Sequence, residues 1–134
     1  MQSITVVENK FISVQYLPDK KIIYHVIHQP ISGQPLRDAL NAGTEALQRY
    51  GATKWLSDDR ENGPLPLEDA EWGFAVWQPR TIKLGWKYWA LVVPEAIEAA
   101  GSMVSIMENL YELGLRMRVF TDVEEALAWL DSFE

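Results

Sequence analysis

Asp58, Asp59 and Arg60 stand side by side where an apolar stretch ends, within Lys54-Trp55-Leu56-Ser57-Asp58-Asp59-Arg60-Glu61-Asn62-Gly63. Adjacent carboxylates can supply oxygen ligands to a hard cation, and Glu95 and Asp122 could add to such a set. They can also serve an acid–base reaction. An arginine beside them has a simpler use: it ion-pairs with one of them and pins a solvated loop. His28 closes a strand-like run and could reach the same rim. His25 lies three positions earlier, on the opposite face of that strand, so the two histidines cannot chelate one metal. His25 shares its face with Ile23 and Ile27 and reads as a satisfied, partly buried histidine. No G-x-S-x-G elbow marks a nucleophile, and no glycine-rich phosphate loop is present. Cysteine is absent, which excludes disulfides, thiol nucleophiles and cysteine-ligated metals. No cofactor or metal centre is assigned.

Aromatic residues form a second group. The chain has six tryptophans, and Trp72, Trp77, Trp86 and Trp89 fall close together with Phe74 and Tyr88. Each indole brings a large apolar area and an N–H that needs a partner. One reading is a bulky core with tryptophans at its rim. The other is an aromatic wall of Trp72, Trp77 and Trp86 facing an apolar ligand or a partner surface. Trp72 and Trp77 are five apart, so on a regular helix they do not share one tight stripe, and one of them should leave the core.

The elements that must position these groups follow from periodicity and punctuation. Ile4 to Val7 is a short β-branched run. Phe11 to Leu17 and Ile22 to His28 alternate around Pro18-Asp19-Lys20-Lys21, which predicts a hairpin. A helix opens near Ser32 or Gln34, buries Leu36, Leu40, Gly43, Leu47 and Tyr50, and stops at Gly51. Ala52 to Ser57 is a strand. Pro66 with Glu68, Asp69 and Glu71 begins a helix that should run to about Trp77, and Pro79 should end it or start a separate turn closed by Gly85. Lys87 to Val93 suits a central strand. Glu95 to Leu113 is helical, with an interruption expected at Gly101-Ser102. Leu115 to Phe120 is a strand. Thr121 with Glu124, or Asp122 with Glu125, caps a final helix whose inner stripe is Val123, Leu127, Leu130 and Phe133. This order predicts an α/β fold: a mostly parallel (β-α)n sheet with an N-terminal antiparallel hairpin, as one domain over residues 1–134.

Composition agrees with one soluble domain: 134 residues, 48% apolar and 23% charged. The net charge of −7, with basic residues scattered, argues against nucleic acid and anionic membranes as partners. The N-terminus lacks signal-peptide character, and no apolar run reaches the roughly 20 residues of a membrane span. Membrane insertion is therefore not expected, and the cytoplasm is the expected location.

The element order, with KWLSDDR, GWKYWALVVP and RVFTD occurring in that sequence, resembles the STAS domain. This is the SpoIIAA-like fold of anti-sigma-factor antagonists, related to Sec14-type lipid carriers, and the three stretches are similar to a group of uncharacterised bacterial proteins. The resemblance implies a non-enzymatic regulatory or binding module working through a protein partner or a homodimer. Its lipid-carrier relatives imply, alternatively, a carrier or sensor of a small apolar ligand. Antagonists of the family carry a phosphorylatable hydroxyl after an aspartate at the start of a helix; here Ser57 precedes Asp58 and Asp59, and no hydroxyl follows. In open α/β sheets ligands bind beyond the C-terminal strand ends. That places Asp58, Asp59, Arg60 and His28 on the ligand rim, and leaves a carboxylate-dependent hydrolase, with or without Mg²⁺, as a third reading.

Overall fold

The computed structural model describes residues 2–99 and 104–133. Six strands form one sheet in the order β1-β2-β3-β4-β5-β6. β1 (Ile4–Glu8), β2 (Ile12–Leu17) and β3 (Ile22–Ile27) are antiparallel neighbours, and β4 (Lys54–Asp58), β5 (Tyr88–Val92) and β6 (Arg116–Phe120) continue the sheet in parallel from β3. The predicted hairpin is thus a three-stranded meander, because Ile4 to Glu8 also pairs with β2 across a register shift at Thr5–Val7.

Every parallel crossover steps one strand in the same direction. Crossovers of one hand then deliver their helices to one face. That face packs against α1 (Gly33–Tyr50), the helical stretch made of α2 (Leu67–Trp72), a π-helical turn (Gly73–Trp77) and α3 (Gln78–Lys83), and α5 (Val104–Glu112), which follows α4 (Glu95–Ala99). The expected break at Gly101-Ser102 lies outside the described residues. α6 (Val123–Asp131) returns to the other face, over β4, β5 and β6, and buries Leu56, Ala90, Val92, Phe120, Ala126 and Leu130. Alternation along each strand sorts side chains between the two layers: Trp55 and Ser57 face α1, while Leu56 and Asp58 face the α6 side.

Local chemistry explains most boundaries. Gly51, at φ 67°, takes the left-handed C-cap position of α1. Asp122 caps α6 by accepting from the Glu125 N–H at 3.0 Å, which selects the second of the two capping alternatives. Pro79 starts the separate turn that the sequence allowed: it stands in the first turn of α3, which ends just before Gly85, at φ 117°. A proline lacks an N–H, and the chain absorbs this by widening the preceding turn, where Gln78 donates to the Gly73 carbonyl in an i→i+5 bond. Trp72, at the end of α2, packs half-buried against the core, while Trp77 is buried in it. Ser32 occupies the N-cap of α1 without a side-chain bond. Asp69 does the capping instead: its buried carboxylate accepts from the Gly33 N–H at 2.9 Å and pairs with Arg37 at 3.3 Å, tying α2 to the start of α1. Lys54 is buried at the lower end of β4, where burial pushes its ammonium below the usual lysine range, and it donates to the Phe133 carbonyl at 2.6 Å.

Candidate functional site

Asp58 and Asp59 do not form a shared carboxylate pair. Asp58 is the last residue of β4 and turns to the α6 side. It is buried and accepts two parallel bonds from Arg60, from Nε and from an Nη, both at 2.9 Å. Its Oδ1 also accepts from the Arg60 backbone N–H at 3.3 Å. The hydrogen bond to Asp58 holds the Arg60 guanidinium above its ordinary pKa, against a smaller opposing effect of desolvation. Asp59, one residue on, faces the α1 side. Its N–H donates to the Val92 carbonyl at 3.0 Å, its carbonyl accepts from the Asn62 N–H at 3.1 Å, and the Asn62 side chain accepts from the Ile31 N–H at 3.0 Å. The loop is therefore closed on itself and tied outward to Val92 of β5 and to Ile31.

The Asp59 carboxylate is one end of a chain that reaches the centre of the core. The Trp55 indole N–H donates to His25 Nδ1 at 3.0 Å, and His25 Nε2 lies 2.7 Å from Asp59 Oδ1. An indole can only donate, so Nδ1 must be the unprotonated nitrogen and Nε2–H donates to Asp59. Both ring nitrogens are consumed and His25 is only 3% exposed, so it has no lone pair to offer a substrate. Ser57, paired in register with His25, is equally committed: its Oγ accepts from the Trp89 N–H at 2.9 Å. His28 ends near the rim but turns toward β2, where Nε2 lies 2.7 Å from Ser13 Oγ. Ser13 passes its single proton to Glu8, so His28 is the donor of that pair. The rim residues read from the sequence thus divide into an Asp58–Arg60 pair, an Asp59–His25–Trp55 chain and a separate His28–Ser13–Glu8 chain. Among the described residues, no three His, Asp or Glu side chains come together as a metal-ligand set.

The strand order explains why these groups do not converge. A ligand crevice in an open α/β sheet forms where the winding reverses direction. Here the parallel strands never reverse, so their ends make a closed rim.

The tryptophans sit differently from an exposed wall. Trp55, Trp77, Trp86 and Trp89 pack on one another with ring centroids 5.0–5.9 Å apart. Trp77 is 4% and Trp86 1% exposed. Every indole N–H of the four has a partner: His25 for Trp55, Thr44 Oγ1 for Trp77, the Tyr88 carbonyl for Trp86 and Ser57 for Trp89. Trp72 lies half-buried at the margin, with the Arg37 guanidinium 5.4 Å over its ring. The space an apolar ligand would need beneath this segment is filled by the indoles themselves.

Exposed apolar surface gathers elsewhere, at the β6 edge. A groove of about 630 Å³ runs along it, lined on the α5 side by Val104, Met107, Tyr111 and Met117 and on the α6 side by Trp129 and Phe133, with Arg116, Arg118 and Glu108 at its margins. The sequence did carry a signal for this surface. In Arg116-Met117-Arg118-Val119-Phe120, charge at alternate positions contradicts a strand covered on both faces and marks an edge. No helix of the described residues is long and apolar enough to cross a membrane. Compared with known proteins, the chain matches no family model, no curated protein and no solved structure.

Proposed function

We propose that this chain is a non-enzymatic, STAS-like binding module that acts through a protein partner. The observation that carries this reading is the contrast between its two candidate surfaces. At the rim, the side chains that could do chemistry are spent on one another. At β6, an aromatic groove with Tyr111 61% and Val104 53% exposed has the make-up of a recognition surface: aromatic and methionine side chains flanked by arginine. The one-directional strand order, with three helical crossovers of the same sense, supports the SpoIIAA-like reading. The serine of Ser57-Asp58-Asp59 is buried beneath Trp89, so a binding switch by phosphorylation at this loop has no accessible hydroxyl.

Affinity capture from the native host tests the proposal. The wild-type chain is expected to retain a defined partner in stoichiometric amount, and Tyr111→Glu, at an exposed position, to lose it while keeping its circular dichroism spectrum. A partner held equally by both proteins would overturn the assignment of the groove. Conversion of a carboxylate ester or phosphoester by the purified chain, abolished by Asp59→Asn, would overturn the non-enzymatic reading.

A further inference from the structure

We propose that the open edge of β6 takes up an extended, acidic segment of a partner protein as a seventh strand; this rests on the binding-module reading above and names the partner's chemistry. β6 ends the sheet, and no described strand pairs with its outer side. Arg116 donates its N–H to the Lys87 carbonyl and Phe120 accepts from the Val93 N–H. In a parallel ladder the intervening residues alternate. The N–H and C=O of Met117 and Val119 therefore point away from β5, a ready template for strand addition.

The two edges of the sheet differ in a way that matters. β1 is interrupted by its register shift at Thr5–Val7, which spoils it as a template. β6 keeps an unbroken register with β5 over all its residues. The groove straddles β6, with Met107 and Tyr111 on one side and Trp129 and Phe133 on the other, so an added strand would find apolar contacts for both of its faces.

Charge selects the occupant. Arg116 and Arg118 are exposed and form no ion pair among the described residues; each guanidinium rests on a ring, Tyr111 and Phe120 respectively, at 5.2 Å. Among the described residues, Glu108 is the one acid lining the groove, so two arginines against one glutamate leave its margin net positive in a chain of net charge −7. A second copy is disfavoured, because the register that overlaps β6 fully with itself sets Arg118 opposite Arg118. A strand with Asp or Glu at the facing positions and apolar residues between them satisfies both the arginines and the groove.

The probe is a fluorescent nine-residue synthetic peptide alternating glutamate and valine, followed by anisotropy. Saturable binding is expected, weakened about tenfold by Arg116→Glu with Arg118→Glu. Alternate N-methylation of the peptide backbone should abolish it, because that removes the amides a ladder needs and leaves the charges. The charge-reversed protein should instead bind the matching lysine–valine peptide. Absence of saturable binding up to about 1 mM, equal binding of acidic and lysine peptides by the wild type, or indifference to N-methylation would each overturn the proposal. So would a concentration-dependent wild-type dimer in light scattering that the arginine substitutions alter, since that assigns the edge to a second copy. If the arginine substitutions spare the partner captured from the host while Tyr111→Glu loses it, strand addition fails and the binding-module reading stands.

Discussion

Gly43 sits in the middle of α1 directly over the Trp55 indole, and replacing it with alanine tests whether the tryptophan cluster is as rigid as its bonding implies. A Cβ at position 43 would lie 2.4 Å from Trp55 Cη2 and 3.0 Å from Cζ2. The ring has little room to retreat. It is fully buried, edge-on to Trp77 at 5.1 Å and tilted against Trp86 at 5.8 Å. Its N–H is also fixed to His25, which is fixed to Asp59. Overpacking of this kind costs about 1–3 kcal/mol. Against it stands the helix preference of alanine over glycine, about 1 kcal/mol. With the ring clamped, the upper part of the overpacking range applies, and the net loss is about 1–2 kcal/mol. For a domain of this size that lowers the melting temperature by roughly 4–8 °C. Gly73→Ala supplies the control. Its φ of −58° is ordinary for alanine and no atom lies within 4 Å of the new methyl. It should gain about 0.4–1 kcal/mol. Urea unfolding followed by tryptophan fluorescence reads both variants on one scale. A Gly43→Ala midpoint equal to or above that of the wild type would show that the indoles slide freely and would refute the reasoning.

Four further outcomes are expected. Asp69→Ala removes the acceptor for Gly33 and the partner of Arg37 from a site only 4% exposed; it should cost about 2–3 kcal/mol in urea unfolding, and an unchanged midpoint would contradict the capping role. His25→Phe leaves the Trp55 N–H without an acceptor in the core and should cost about 1–3 kcal/mol, with loss of the slowly exchanging indole proton of Trp55 in NMR as its signature. Asp58→Asn weakens the bond to Arg60, which is itself 44% exposed and can turn to water; the cost should be only about 1 kcal/mol, but hydrogen exchange at the Asn62 amide should accelerate. Burial, reinforced by Asp58 and Glu124 and opposed by Arg60, raises the Tyr24 phenol above 10.0. Its contribution to stability is present below 10.0 and lost as pH rises through the folded value, because the unfolded phenol releases its proton first. Tyr24→Phe should therefore flatten the alkaline fall in stability between about pH 9 and about pH 11, and an unaltered slope would dismiss Tyr24 as its source.

Much of the fold could be read locally because local chemistry sets it. Gly51 needed a left-handed backbone, Asp122 sat three residues before an amide it could accept from, and the α1 stripe recurred at helical spacing. The features that escaped depend on partners distant in sequence. Nothing near His25 points to Asp59, thirty-four residues away; their meeting depends on the parallel register that sets His25 opposite Ser57. Asp69 looked like a helix-dipole acid because it stands in a first turn, and its bond to Gly33 arises only when α2 docks on α1. Pro79 marked the start of α3, but the π-helical turn that joins it to α2 has no local signal. The proposed β6 surface drew less notice for a related reason. Clustered acids attract notice in a sequence, whereas the edge signal in Arg116-Met117-Arg118-Val119-Phe120 is only two charges in a short strand, and the strand order that confirms it is not written in any single segment.

The strand order also has a consequence for how the chain is made. Each strand pairs with the one synthesised just before it, so ladder formation can keep pace with emergence from the ribosome, and no strand waits for a neighbour that has yet to be translated. The exception is the second face. Leu56, Ala90 and Val92 are in place on their strands before α6 exists, and they stay bare until residues 123–131 arrive to cover them. The nascent protein therefore passes through an interval in which its sheet is nearly built but open on one side, and that interval is when its apolar strand face is bare to water and to other chains.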